Sequence, residues 1–466
     1  MSSPGPPGLV IHGHFYQPPR EDPWTGEVPE QPEAAPFHDW NERITAECYR
    51  PNAERGTFEH LSFNVGPTLL SWLEAHHADV YERILEADRR TGRAIAQGYG
   101  HAILPLCNER DLRTHLRWGI ADFVHRFGRR PEGMWLPETA VDDATLEGLV
   151  EEGIRFTILA PGQVTATRRL GGEGAWTDHD AGPGSDVVRW CHPDGSGRGV
   201  DLVVYDGDLA HRLAFGAPAR EAIVSAAVAN RRLTVAATDG ETFGHHHQGA
   251  EEVLAEALTV EAPARGVRVP RLLDVLDQHP PRHEGRVRTS AWSCAHGVGR
   301  WMDDCGCQTG GHDGWDQRWR APLRRALDLL RDWGVEVVEG CGRRLLRDPW
   351  AARDDYLSLL LGARSWDDFA SEHVVGDGHR AGVLLDAQRN ALLMYTSCGW
   401  FFNDLGGTET VQVLRYAARA IDLYEQLGEE PPVDAFLEGL AEACSNDPSV
   451  GDGRRLWHDQ VLPLHR

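Results

Sequence analysis

The strongest constraint on this chain is a repeated alternation of short apolar strands with amphipathic helices over residues 9–300, with polar clusters where several strands end. The segment 9–15 (LVIHGHF) predicts a short buried strand, and AIAQGYGHAILPL predicts a strand followed by a loop. Further strands are predicted at 134–138 (MWLPE), 154–161, 200–207 and 233–244, with two more at 287–294 and 335–340. Helical periodicity marks 66–90, 109–127, 142–153 with Gly153 as its C-cap, a stretch near 218–230, and 249–261. Residues 16–60 read as a long ordered loop, and 170–200, rich in Gly and Asp, as an exposed excursion. Strands that alternate with helices pair in parallel, so an α/β fold is expected, with its chemistry at the C-terminal strand ends. Beyond about residue 317 the pattern becomes helical.

Composition narrows the partners. The net charge is −24 and the chain has no lysine, which disfavours nucleic acid and anionic membranes. Neutral sugars remain compatible, and sixteen tryptophans offer faces for sugar rings or for core packing. No apolar run is long enough to span a bilayer, and the N-terminus lacks the basic and apolar regions of a secretory signal, so a cytoplasmic location is expected. Nine scattered cysteines argue against a disulfide framework.

Five polar clusters carry the candidate chemistry: HGHFYQP with His12, His14 and Gln17; GYGHAILPL with Tyr99 and His101; MWLPETAVD with Trp135 and Glu138; TDGETFGHHH with Asp239, Glu241 and His245 to His247; and YTSCGWFFND with Trp400 and Asp404. In this order they resemble the motifs of glycoside hydrolase family 57. His12, His14, Gln17 and Pro18 match the first motif, Trp135, Leu136 and Glu138 the third, and Asp239, Gly240, Glu241, Phe243 and Gly244 the fourth. The second matches loosely at Gly98 to Pro105, and Trp400 stands where the fifth has its tryptophan, with different flanks. The resemblance implies an incomplete (β/α)7 barrel followed by a helical C-terminal region. The division expected is 1–316 for the barrel and 317–466 for helices that pack on it. It also implies a retaining enzyme for α-glucosidic bonds, with Glu138 as nucleophile and Asp239 as general acid/base.

Those residue types suit the reaction. Retention needs two carboxyls about 5–5.5 Å apart, one ionised to attack and one protonated for the leaving oxygen. The second needs its pKa raised by burial or by the first. Glu138 and Asp239 lie about a hundred residues apart, so only a barrel-like closure brings them to one rim. Glu241 is an alternative acid. His12 and His14, two apart on a strand, face one side; with Gln17, His101, Trp135, Phe243, His245, His246 and Trp400 they are the candidate contacts to an oligosaccharide or polysaccharide. Trp135 and Trp400 are equally suited to core packing.

Two other readings use the same residues: a metal-dependent carbohydrate enzyme (deacetylase or α-mannosidase type) with His-x-His and His245–His247 as ligands, and a catalytically silent glycan-binding protein. The first strand lacks the acidic pair of such deacetylases. In 292–315, Cys294, His296, Cys305, Cys307 and His312 have zinc-binding chemistry, but C-x-C is not the usual C-x₂-C knuckle. A rigid glycine-rich rim, contributing His296 or Trp292 to the site, is the reading taken, with no metal and no cofactor expected.

Overall fold

Strand β1 (Gly8–Phe15) is buried along its whole length, so its sequence is apolar on both faces and its two histidines have no water to turn to. In the computed structural model, which describes residues 7–172, 174–179, 185–216, 218–230 and 233–462, β1 is the middle strand of a parallel trio. The other strands are β2 (Ser62–Val65), β3 (Ala96–Gln97), β4 (Met134–Trp135), β5 (Phe156–Leu159), β6 (Val164–Arg169), β7 (Thr177–Asp178), β8 (Asp186–Cys191), β9 (Gly199–Val204), β10 (Leu233–Asp239) and β11 (His283–Val287). β10 and β2 flank β1. The parallel bridge Phe63↔Ala94 leads from β2 towards β3, β3 pairs with β4, and Gly133↔Phe156 leads on to β5, which pairs with β9. A single backbone hydrogen bond, Asp206 N–H to Val235 O at 2.7 Å, joins the end of β9 to β10. Seven parallel strands, β1-β2-β3-β4-β5-β9-β10, thus follow one another around a ring with one weak seam: an incomplete (β/α)7 barrel followed in sequence by helices.

The excursion has more order than the sequence suggested. From β9 the sheet continues through β8, β11, β6 and β7, so the Gly- and Asp-rich stretch contributes strands, although residues 173 and 180–184 lie outside the described ones. β11 ends at Val287, where a strand was expected to begin. The expected strand at 335–340 is instead the end of the helix Arg320–Val337 and the π-helical turn after it. Its valines alternate with glutamate, but Gly334, Val337, Val338 and Cys341 are the buried positions, and that spacing is helical. Within 16–60, short helices at Trp40–Ile44 and Arg50–Glu54 interrupt the expected loop.

Two compact units emerge. The first holds residues 1–17, 30–99 and 123–292, with the whole ring of strands. In it, the helix Ala78–Thr91 buries Val80, Tyr81, Ile84 and Leu85 and stops at Gly92. Its Asp88 is buried but paired, accepting from Arg129 and from the Ala94 N–H. The second unit holds 18–29, 100–122 and 293–466. It is built on the helices Arg320–Val337, Gly378–Leu393, Thr408–Gln426 and Val433–Ala441. Buried Arg353 ties its early and late segments together, donating to Asp111 and Thr114 at 2.8 Å and to Gln388 at 3.2 Å. Among the described residues no helix is long and apolar enough to cross a membrane.

The close approach of β4 and β5 depends on Gly133. A methyl group there would lie 2.3 Å from the Phe156 ring. Gly133→Ala should therefore destabilise the first unit by roughly 1–3 kcal/mol, the usual cost of overpacking a filled core. Differential scanning calorimetry of the single variant and of Gly133→Ala/Phe156→Leu checks this: the second change should recover part of the loss, and an unchanged melting temperature in the single variant would refute it.

Candidate active site

The parallel register around β1 sets out the site. His14 stands opposite Asp239 of β10 on one side and Asn64 of β2 on the other, while His12 stands opposite Ala237 and Ser62. Asn64 is the hub. Its Oδ1 accepts from His12 Nε2 at 3.0 Å, and its Nδ2 donates to His14 Nδ1 at 2.9 Å and to Gln97 Oε1 at 2.8 Å. The Ser62 hydroxyl meets His12 Nδ1 at 2.9 Å. One amide thus assigns both tautomers, giving each ring its proton on Nε2. Trp135 backs the pair, stacked on His12 at 4.9 Å and on His14 at 5.0 Å. Burial drives the His12 pKa down to about 3, against the opposing bond from Asn64, so the ring is neutral.

Glu138 leaves β4 on a left-handed turn, with φ of 58° at Glu138 and 48° at Thr139. Non-glycine residues rarely adopt such angles unless neighbouring structure holds them there. Here the segment 290–292 does so. Ser290 and Val141 exchange backbone hydrogen bonds, Trp292 N–H donates to Glu138 O at 3.0 Å, and the Gln163 amide donates to Thr139 O at 2.8 Å. The Trp292 indole N–H also donates to Glu138 Oε2 at 2.9 Å, which fixes the carboxylate as well as its backbone.

Asp239 ends β10 and its carboxyl is reachable by water, yet the protein around it removes most of the solvation of a surface carboxylate. Burial first, then the charges of Glu241 and Glu138, push its pKa well above the usual carboxylate range. Glu241 itself is buried and fully engaged, accepting from Tyr49 O–H at 2.6 Å, from Tyr16 N–H at 3.0 Å and from Gln17. Burial outweighs those bonds and raises it to about 7. Gly240 between the two lies so close to Phe15 that a methyl group would sit 2.2 Å from its ring.

His12, His14, Gln17, Trp135, Glu138, Asp239 and Glu241 are thus linked to one another in the first unit. Phe243 is fully enclosed there and Asn52 donates to its carbonyl, a packing position rather than an open face. His245 bonds Glu47 at 2.5 Å, and exposed His246 has its pKa lowered to about 4 by nearby protein and the flanking histidines. His101 and Trp400 belong to the second unit. His101 Nδ1 lies 2.6 Å from Ser397 Oγ, and burial lowers its pKa to about 3. Trp400 has no accessible surface: Tyr395 stacks on it, the Arg324 guanidinium lies 4.5 Å from its centre, and its N–H donates to Arg320 O. Its ring, like those of Trp135 and Phe243, is enclosed by protein on both faces. Among the described residues, the histidines at 12, 14 and 245–247 do not converge as a metal-ligand group. Sequence reasoning missed Asn64, Ser62, Gln97 and Tyr49, none of which sits in a motif that names its partner, while Trp292, named there as a rim residue that could contribute to the site, meets Glu138.

Comparison with known proteins supports the same frame. The family model described as Glycosyl hydrolase family 57 matches residues 40–288, and one described as Domain of unknown function (DUF3536) matches 315–465. Among solved structures, the chain is similar to an exo-type maltose-forming amylase from Pyrococcus sp. ST04, at 14% identity over 93% of this chain and 82% of that one, with a TM-score of 0.72. It is also similar to a GH57-type branching enzyme from Pyrococcus horikoshii (14% identity, 94% of each chain, TM-score 0.59). A third is an α-amylase from Thermotoga maritima (13% identity, 97% of this chain and 99% of that one, TM-score 0.57). At these identities the likeness is one of fold. No curated protein matches the chain.

The neutral, buried His12 predicts an acid weakness. Its folded pKa of about 3 lies below the ordinary histidine value of 6.5, so as pH falls below about 6.5 the unfolded chain takes up a proton that the fold refuses. Stability should fall by up to roughly 1.4 kcal/mol per pH unit from this group until about pH 3. In urea titrations between pH 6 and 4, His12→Asn should reduce proton uptake on unfolding by about one; an unchanged pH slope would show that His12 is already charged in the fold.

Proposed function

Because this chain belongs to glycosyl hydrolase family 57, we propose that it hydrolyses or transfers α-glucosidic linkages of α-glucans by double displacement, with Glu138 as nucleophile and Asp239 as general acid/base. The observation that carries the proposal is the unequal treatment of two carboxyls, one following β4 and the other ending β10. Glu138 is oriented by an indole N–H on a turn held from 290–292, while Asp239 is raised by burial and by the charges of Glu241 and Glu138. One is placed to attack and the other is kept protonated, the division that a retaining mechanism needs.

In the first step Glu138 attacks the anomeric carbon as the glycosidic C–O bond breaks, and Asp239 gives its proton to the leaving oxygen. The resulting glycosyl ester leaves Glu138 without charge, so one of the causes that raise Asp239 disappears. Asp239 then persists as a carboxylate and takes the proton from the incoming hydroxyl, whose oxygen displaces Glu138. Water as acceptor gives hydrolysis, and a sugar hydroxyl gives transfer. The maltose-forming amylase and the branching enzyme stand for these two outcomes among structures of similar fold. His14, which stands opposite Asp239, is the proposed contact for sugar hydroxyls, with fully buried Asn64 bonded to it and His12 bonded to Asn64 behind. None of the nine cysteines is joined in a disulfide, which suits a reducing compartment, and the cytoplasm is the location proposed.

Purified protein incubated with maltooligosaccharides and glycogen should give products of retained anomeric configuration. Asp239→Asn should lower kcat by roughly 10²–10⁴-fold, the usual contribution of a general acid. With α-glucosyl fluoride, whose leaving group needs no proton, Asp239→Asn should still form the glycosyl-enzyme, whereas Glu138→Gln should not. Inverted products, or full activity in either variant, would refute the assignment.

The pH profile gives an independent check. If Asp239 is the acid, its deprotonation sets the alkaline limb of kcat/KM. Glu241→Gln keeps acceptors for Tyr49 and Tyr16 but removes a negative charge that raises Asp239, so the alkaline limb should move to lower pH. A shift to higher pH would contradict the charge relation described for the site.

A further inference from the structure

Four side chains outside the site converge in the second unit: Cys294, His296, Cys305 and Cys307, with one donor atom from each lying within 4.8 Å of all the others. Cys294 Sγ lies 3.9 Å from Cys305 Sγ and 3.8 Å from Cys307 Sγ, and Cys307 Sγ lies 3.6 Å from His296 Nδ1. Disulfide sulfurs would be about 2.0 Å apart, so none of these pairs is bonded. A tetrahedral zinc ion, with Zn–S near 2.3 Å and Zn–N near 2.0–2.1 Å, holds its sulfurs about 3.8 Å apart and sulfur and nitrogen about 3.5 Å apart. These three spacings match a tetrahedral Cys₃His shell.

Two further features favour a metal–thiolate centre. The first is the treatment of the sulfurs: Arg300 N–H donates to Cys294 Sγ at 3.4 Å, Cys307 N–H to Cys305, and Ala295 N–H to Cys307. Gly306, at φ 79°, is the left-handed residue between the two cysteines of C-x-C and turns the chain so that both thiols reach the same point. The second is an excess of buried positive charge. Arg320 is fully buried and Arg300 nearly so. Among the described residues neither lies within ion-pair distance of a carboxylate; Arg320 donates to the carbonyls of Cys307, Phe401 and Phe402, and Arg300 to that of Gln308. Buried guanidinium groups without a counter-charge are costly. A divalent ion with three thiolates and one neutral imidazole carries one net negative charge beside them.

We propose that Cys294, His296, Cys305 and Cys307 bind one structural zinc ion that staples the segment 294–307 within the second unit. Loading replaces three S–H protons, released to solvent, with three Zn–S bonds, and His296 binds as neutral imidazole. Four protein donors leave no open position, so the ion orders the chain and takes no part in the reaction. His312, which also has the right chemistry, is not among the converging donors. The segment 302–316 has almost no regular secondary structure, the kind of loop that a metal clip stabilises most.

The test uses the full chain. Inductively coupled plasma mass spectrometry of protein purified without added metal should find about one zinc per chain. Cys307→Ser should lose at least tenfold of it, and His296→Cys, which keeps four donors, should retain it. Replacing the zinc with cobalt(II) should give thiolate-to-metal charge-transfer bands and the d–d bands of a tetrahedral ion, and chelation should lower the melting temperature. Wild-type protein that is metal-free as purified and gives no tetrahedral cobalt spectrum would overturn the proposal, as would iron in place of zinc. Because the wild-type measurements suffice, failure of a variant to fold leaves the test intact, and the result is independent of whether the chain acts on α-glucans.

Discussion

The candidate site depends first on the register of two parallel ladders. β1 is hydrogen-bonded to β10 on one side and β2 on the other, and the pairing sets His14, Asp239 and Asn64 in one row across three strands. Side chains alternate along a strand, so a slip of one residue in either ladder would send Asp239 or Asn64 to the opposite face. A slip would also part His12 and His14 from Asn64 and leave polar groups without partners in a strand that has no exposed face to receive them. The hydrophobic core and the arrangement of the candidate chemistry are therefore one constraint.

Around that row the charges are arranged for contrast. Two of the three carboxyls at the site, Glu138, Asp239 and Glu241, are oriented by indole, phenol and backbone N–H groups. Dipoles fix direction without supplying full charge, so burial and then the charges of Glu241 and Glu138 still raise the Asp239 pKa. A guanidinium beside Asp239 would stabilise its ionised form and remove the proposed acid. The neutral histidines have the same effect: His12, buried and discharged, can shape the site without adding a positive charge to it.

Much of this was legible in the sequence because it is local. The strand that ends at Glu138, the strand that runs into Asp239-Gly-Glu241, and the apolar run before His12 each lie in a short window. What could not be read depends on pairing. Asn64 becomes the hub of the histidine row only because β2 lies beside β1 in that register, and Trp292 reaches Glu138 across a separation of 154 residues. Local patterns also misled. The valines of 335–340 alternate like a strand, yet their buried set completes a helical face with Gly334 and Cys341. The glycine-rich C-x-C segment read as a rim because its spacing was compared with a knuckle of adjacent pairs, whereas its four donors converge from two short stretches with eight residues between them.

Glu138 shows how strain and position are connected. Left alone, the left-handed backbone at Glu138 and Thr139 would relax and swing the carboxylate away from the strand end. The segment 290–292 opposes this at three levels: the Ser290–Val141 pair holds the turn's exit, Trp292 N–H holds the Glu138 carbonyl, and the indole holds the side chain. Backbone conformation and carboxylate direction are thus set by the same few residues, so the direction cannot change unless the turn opens. A nucleophile that must keep a fixed line of attack while its charge comes and goes needs this kind of support, because hydrogen bonds to the carboxylate weaken when it becomes an ester, while those to its backbone persist.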